Sequence, residues 1–245
     1  MLEDASVISA IIDKREALSP ERALLVGISG IDASGKGFVA ARIADSLKKR
    51  GIRLAVINVD GWLNLPHVRF HRRNPARHFY ENAIRFDEMF EQVVLPLRDT
   101  RSINVESDFA EESATTFRKH RYDFHKIDIV ILEGIFLLKP AHRHHFDLTI
   151  WIDCSFATAL RRAVKRCQEN LPPRETEHAF ETTYFPAQRI HLARDDPRSA
   201  AHIIVANDAV AGIDDAGLRL CQNAARPLRR RISGRPHAKR RRSEI

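Results

Sequence analysis

The strongest constraint on this chain lies in residues 23–50, ALLVGISGIDASGKGFVAARIADSLKKR, where an uncharged run meets a glycine-rich turn that opens directly onto a helical pattern. ALLVGIS is short and almost wholly apolar, as a strand buried on both faces must be. The turn GIDASGKG, residues 30–37, satisfies G-x-x-x-x-G-K, and the strand before it and a helix from about Gly35 to Arg50 supply the setting in which that spacing has meaning. Gly30 and Gly35 let the backbone curl. Successive N–H groups from about Ala33 to Phe38 can then face phosphate oxygens, and Lys36 can reach the terminal phosphates of a nucleotide. The candidate ATP-binding residues are therefore Gly30, Ile31, Asp32, Ala33, Ser34, Gly35, Lys36, Gly37 and Phe38. Position 37 is glycine where a magnesium-binding serine or threonine is expected. Glycine keeps the N–H and deletes the hydroxyl, so Mg2+ has to rest on phosphates, waters and nearby carboxylates.

Four further apolar runs, RLAVINV, DIVILEG, LTIWID and AHIIVAN, alternate with helical patterns such as AIRFDEMFEQVVLPL. This order predicts a three-layer α/β fold with a central, mostly parallel five-stranded sheet covered by helices on both faces. Ligands of such sheets bind beyond the carboxyl ends of the strands, where the glycine-rich loop, Asp60 and Glu133 all fall. Glu133, at the end of a buried strand, is the candidate metal carboxylate, and Asp60 is a candidate base for an attacking hydroxyl and a second metal carboxylate. A simple Asp-Gly turn is the plainer account of Asp60. Further on, ATALRRAVKRC sets Arg162 and Arg166 on one helical face, where planar guanidinium forks suit a transferred phosphoryl group; a solvated basic face is the alternative. HRHH at 142–145 reads as a surface loop, Trp62 and Phe70 as packing or base-stacking rings, and RFHRRN at 69–74 as pocket lining or surface.

Together GISGIDASGKG, the strand end at Asp60, HFYENAIRFDEMF, ILEGIFLL, TALRRAVKR and YFPAQRIHL followed by AHIIVAND resemble the uridine kinase and phosphoribulokinase branch of the P-loop kinases, most nearly the uridine kinase group, over about residues 22–208. The resemblance implies a nucleoside kinase-like P-loop domain with a helical lid at about 160–190, ATP and Mg2+ as cofactors, and transfer of a phosphoryl group to the 5′-hydroxyl of uridine or cytidine. It implies Asp60, Lys36, Arg162 and Arg166 as the catalytic set, with Glu133 and Asp60 at the metal. Glu81 falls where the group has an aspartate on the ribose, and His120 approximates a histidine on the base, so Asp60, Glu81, His120 and Arg166 form the implied acceptor site. An exposed loop position is the plainer account of His120. Glycine after the loop lysine also occurs in adenylate kinases, which follow it with threonine where this chain has Phe38. Fold does not fix the acceptor, so another sugar, a vitamin or a nucleotide stays open, as does a nucleotide-binding protein without catalysis, for which Gly37 speaks.

With 245 residues the chain divides into an N-terminal packing helix (1–21), the kinase-like domain (22–225) and a basic tail (226–245). The formal charge is +8, but the tail alone holds nine Arg/Lys residues and one acid, which leaves the body near neutral. Such a tail is expected to stay solvated, and its cations can support a weak, salt-dependent contact with nucleic acid or an anionic surface. Cys154, Cys167 and Cys221 are too widely spaced for a zinc ribbon or a redox pair, so reduced thiols and a cytoplasmic setting are expected. No run is long and apolar enough for a membrane span, the partner is a small-molecule substrate, and monomer and homo-oligomer are equally compatible.

Overall fold

The computed structural model describes residues 2–166 and 172–208; Cys167, Cys221 and the basic tail lie outside them. Strands β1 (Leu24–Gly30), β2 (Leu54–Asn58), β5 (Ile129–Gly134), β6 (Leu148–Asp153) and β7 (Ile203–Ala206) form one sheet in the order β2-β5-β1-β6-β7, with every pairing parallel. The central strands β1 and β5 are buried at every residue, whereas the edge strands β2 and β7 show alternate residues to solvent. That difference follows from helices on both faces at the centre and thinner cover at the rims.

Alternate side chains of one strand serve opposite layers. Leu24, Val26 and Ile28 of β1, with Ile129 and Ile131 of β5, pack under α1 (Leu2–Glu16) and α2 (Lys36–Lys48) through Val7, Ile11, Ile43 and Leu47. Leu25, Val130, Leu132 and Trp151 face the other layer. There lie α3 (Pro66–Arg69), α4 (Pro75–Asn82), α5 (Phe86–Met89), α6 (Leu95–Thr100), α7 (Pro140–Arg143), α8 (Phe156–Arg166), α9 (Pro173–Ala179) and α10 (Phe185–Asp195) as the chain returns.

The expected helix AIRFDEMFEQVVLPL is present but wider in its middle. A π-turn, Phe90–Val94, joins α5 to α6 just before Pro96, and a second, Phe180–Tyr184, joins α9 to α10 just before Pro186. Proline has no N–H to give and its ring crowds the carbonyl four residues back, so one wider turn lets the helix pass it.

One element departs from the expected plan. β3 (Ile103–Phe109) and β4 (Arg118–Phe124) form an antiparallel ribbon apart from the main sheet, with Ser107 opposite His120 and Val105 opposite Tyr122. The ribbon is tied to the segment just after β2 by a bridge between Trp62 and Ala110. No described helix is long and apolar enough to cross a membrane.

Candidate active site

The glycine-rich loop leaves β1 at Gly30 and enters α2 at Lys36. Ala33 (φ +55°) and Gly35 (φ +88°) both adopt left-handed conformations, and this local curl turns successive N–H groups into one concavity suited to phosphate. A Cβ at Gly35 would also collide with the Asn207 amide, so two constraints demand glycine there. The back of the loop is held by one atom, the Ser34 carbonyl oxygen, which accepts from Asn207 Nδ2 at 2.7 Å and from Arg162 Nη1 at 3.2 Å. The Ser34 hydroxyl is buried without a protein partner. Phe38 contributes only backbone to the cradle; its ring lies beneath the Arg42 guanidinium, 5.4 Å from the centroid.

Register brings the carboxylates beside the loop. Glu133 lies between Ile28 of β1 and Asn58 of β2, the latter two residues short of Asp60. Gly134 has room for no side chain because Val59 fills the space. β2 therefore stops at Asn58, and a 3-10 turn (Val59–Gly61) carries Asp60, whose N–H donates to Asn58 Oδ1 at 2.7 Å. Asp60 remains open to solvent although protein encloses it on its other sides, as expected at the floor of a cleft. That crowding raises its pKa, Lys36 opposes the rise, Asp32 adds to it, and Arg166 and Arg69 oppose it further.

Glu133 is 5% exposed, and its pKa is pushed up to about 7 by burial, against the pull of Lys36 and with the push of Asp60 and Asp32. Lys36, Asp32, Asp60, Glu133 and Arg166 thus act on one another as a cluster. A Cβ built on Gly37 would sit 3.6 Å from Glu133 Oε2, so the place vacated by the absent hydroxyl borders the buried carboxylate. Donor chemistry and space fit a hard divalent cation held by phosphates, water and Glu133, with Asp60 next to it.

The ribbon covers the turn that carries Asp60. The Phe109 ring covers Gly61, Ala110 N–H donates to the Gly61 carbonyl at 3.1 Å, and His120 packs on Phe109 and Tyr122 at 5.0 and 4.6 Å between ring centroids. His120 is therefore a half-buried strand residue one ring away from Gly61, and burial lowers its pKa, with Arg118 adding to the effect. Trp62 is fully buried and stacked on Tyr122 at 5.8 Å, which makes it packing.

Glu81 stands apart from this group. It lies on α4, pairs with Arg77 at 2.9 Å, and lines a cleft of about 390 Å³ with Tyr80, Lys139, Arg194 and Asp195. The two helix arginines also separate: Arg162 braces the loop, while Arg166 acts on Asp60 and Glu133. In HRHH, His142 is half-buried against Phe86 and Phe90, and no group of three metal-binding side chains occurs among the described residues. Cys154 is a free thiol pushed up to about 11 by burial, which leaves little thiolate at neutral pH. Asn207 escapes a reading of motifs because a lone Asn after a strand carries no local signal, and within RFHRRN, read as pocket lining or surface, the structure buries Arg69 and leaves Arg72 and Arg73 exposed.

No curated protein matches the chain by sequence. Among solved structures, a possible uridine kinase from Bacillus stearothermophilus superposes with a TM-score of 0.63 at 20% identity, covering 82% of this chain and 98% of that one. A protein assigned as a fructose transport system kinase from Silicibacter sp. TM1040 gives 0.64 at 16% identity over the same shares, 82% and 98%. D-glycerate 3-kinase from Cryptococcus neoformans gives 0.55 at 15%, covering 76% and 86%. These likenesses carry the fold. The family model described as phosphoribulokinase / uridine kinase matches residues 25–170, from the first buried strand through the arginine helix. That span is more than half of the sequence, and on this ground the chain belongs to the phosphoribulokinase / uridine kinase family.

Proposed function

We propose that the chain transfers the γ-phosphoryl group of ATP to a hydroxyl group of a small-molecule acceptor, with Asp60 as the base. The acceptor oxygen forms a bond to the γ-phosphorus as the bond from that phosphorus to the ADP oxygen breaks, and the hydroxyl proton passes to the Asp60 carboxylate. A carboxylate with a raised pKa is a better proton acceptor than an ordinary one, provided it is ionised when substrate binds, and the Lys36 and Arg166 charges favour that state. Lys36 and Arg166 meet the charge on the transferred group, and Arg162 and Asn207 fix the loop that grips the phosphates. Mg2+, when bound by Glu133 with Asp60 beside it, supplies charge neutralisation at the phosphates.

The observation that carries this reading is the convergence of Lys36, Asp60 and Glu133 behind a curled loop at the ends of three adjacent parallel strands. Asp60→Asn is the direct test. The folded variant is expected to bind ATP and to lose transfer; full turnover would remove Asp60 as base.

A nucleoside acceptor such as uridine or cytidine has His120 in its favour, since that ring packs on Phe109, which covers Gly61 next to Asp60. Glu81, implied as the ribose ligand, is paired with Arg77 and faces a different cleft, which favours a second reading in which the acceptor is another sugar-like alcohol. Incubation with ATP, Mg2+ and a panel of nucleosides, sugars, sugar acids and vitamins, with product detected by mass, separates the two. ATP binding with no product from any acceptor would instead favour a nucleotide-binding protein without catalysis.

A further inference from the structure

The arginine helix α8 carries no acid at the end where a helix favours one. FATALRRAVKR holds four cations and no carboxylate, so nothing within it meets the N–H groups of its first turn or the positive end of its dipole. The carboxylate comes from a distant part of the chain. Asp208, just past β7, accepts through Oδ1 from the Ser155 N–H and from the Ser155 hydroxyl, each at 2.9 Å, and the Ser155 oxygen in turn accepts from the Thr158 N–H at 3.2 Å. The hydroxyl thus caps the helix and is itself held by an ion. Donation from the Ser155 N–H holds the Asp208 carboxyl below its usual range; burial opposes this, and the side chains of Ser155, Thr158 and Cys154 add to it.

The residue before Asp208 fastens the phosphate loop. Asn207 extends the β6–β7 ladder by donating its N–H to the Asp153 carbonyl at 2.8 Å, while its Nδ2 donates to the Ser34 carbonyl at 2.7 Å. Arg162 lies between these anchor points: its Nη1 donates to the same Ser34 carbonyl at 3.2 Å and to Cys154 Sγ at 3.5 Å, and that sulfur stands 3.6 Å from Asp208 Oδ1. Neighbouring residues therefore hold the loop and the start of the helix that braces it. Arg162 is about 10 Å along the axis from Ser155, so a tilt of about 3° at the helix start moves its guanidinium by about 0.5 Å, enough to stretch its bond to Ser34 beyond hydrogen-bond range. We propose that Asp208 is a positioning residue of the nucleotide site: by fixing the start of α8 beside Asn207, it sets Arg162 against the Ser34 carbonyl and so keeps the phosphate loop in its binding shape. This inference rests on the nucleotide site of the kinase reading above and adds to it a residue that touches neither nucleotide nor acceptor.

Titration calorimetry with ADP and Mg2+ tests it without any acceptor. Asp208→Ala is expected to weaken ADP about 3- to 10-fold, the range of one or two hydrogen bonds to an exposed ion, and Asp208→Asn, which keeps Oδ1 as an acceptor, to recover most of the loss. In an Arg162→Ala background, Asp208→Ala should cost less than about 1.5-fold more, because its effect on the loop runs through Arg162. A cap that served stability alone would lower Tm in both backgrounds and leave ADP affinity unchanged. Unchanged affinity in folded Asp208→Ala, or an equal loss in the two backgrounds, overturns the inference and leaves transfer with Asp60 as base in place. The expected coupling in a protein that forms no product from any acceptor upholds the inference and removes the transfer reading, and wild-type protein that binds neither ADP nor ATP overturns both. Should Asp208→Ala fail to fold, Ser155→Ala, which removes the capping hydroxyl, is carried through the same cycle under the same criteria.

Discussion

In the protein free of metal and nucleotide, Glu133→Gln is expected to raise stability at pH 8 and to leave it nearly unchanged below pH 5. The Glu133 pKa is about 7, against an ordinary value of 4.5, because the carboxylate is buried. Between these values the folded protein binds a proton that the unfolded chain has released, so stability falls as pH rises from about 4.5 through about 7 and is flat beyond. At about 1.4 kcal/mol for each pKa unit, the buried charge costs about 3 kcal/mol above neutrality. Glutamine keeps the shape and removes that cost, the repulsion from Asp60 included. For a domain of this size the gain corresponds to roughly 6–12 °C in Tm at about pH 8. Thermal melts of both proteins across this range, in chelator, give a difference curve that opens with rising pH. With Mg2+ and ATP present, the wild type should gain more than the variant, because only a carboxylate can meet the cation. Difference curves flat from pH 5 to 8 would refute the buried, strained state of Glu133. Equal gains from Mg2+ and ATP would remove it from the metal.

Asp60→Asn should lower kcat by about 100-fold or more, measured by product formation under saturating ATP, at a melting temperature no lower than the wild type's, since burial raises the pKa of the carboxylate it replaces. Asn207→Ala releases one of the two bonds on the Ser34 carbonyl and should raise the KM for ATP about 2- to 10-fold, the range of one hydrogen bond, while hardly touching the acceptor KM. Gly37→Ser fits without a clash, since its Cβ would stand 3.6 Å from Glu133, and should lower the Mg2+ concentration needed for half-maximal turnover; an unchanged requirement would place the metal elsewhere.

The parallel sheet was legible because its strands are sharply apolar: β1, β5 and β6 stand out as unbroken runs. The carboxyl ends of β1 and β5 locate Lys36 and Glu133, and the half-exposed β2 locates Asp60, but it is the strand order β2-β5-β1 that sets the three side by side. The β3–β4 ribbon was missed for the opposite reason. It is half-solvated, so INVESDF and RKHRYDF carry charge at alternate positions, and the faint period of two in Ile103, Val105 and Phe109 and in His120, Tyr122 and Phe124 is outweighed by polarity. The run RFHRRN left pocket lining and surface both open, because a basic run does not say which member turns inward; in the structure Arg69 does, and it donates to the Glu112 carbonyl.

The separation of Arg162 from Arg166 shows why a shared helical face is weaker evidence than it looks. The spacing of four aligns their Cα–Cβ bonds, but one turn of helix displaces the second guanidinium by about 6 Å along the axis, roughly the distance from the back of a phosphate loop to its mouth. Arg162 therefore reaches the Ser34 carbonyl, where Asn207 already donates, while Arg166 reaches the field of the carboxylates. The first adds positive charge at the back of the loop and ties it down; the second puts its charge on the carboxylates that the proposed reaction uses. Replacing Arg162 should consequently be felt first in nucleotide affinity and replacing Arg166 first in kcat, so the fold divides between binding and transfer two residues that the sequence presents as equals.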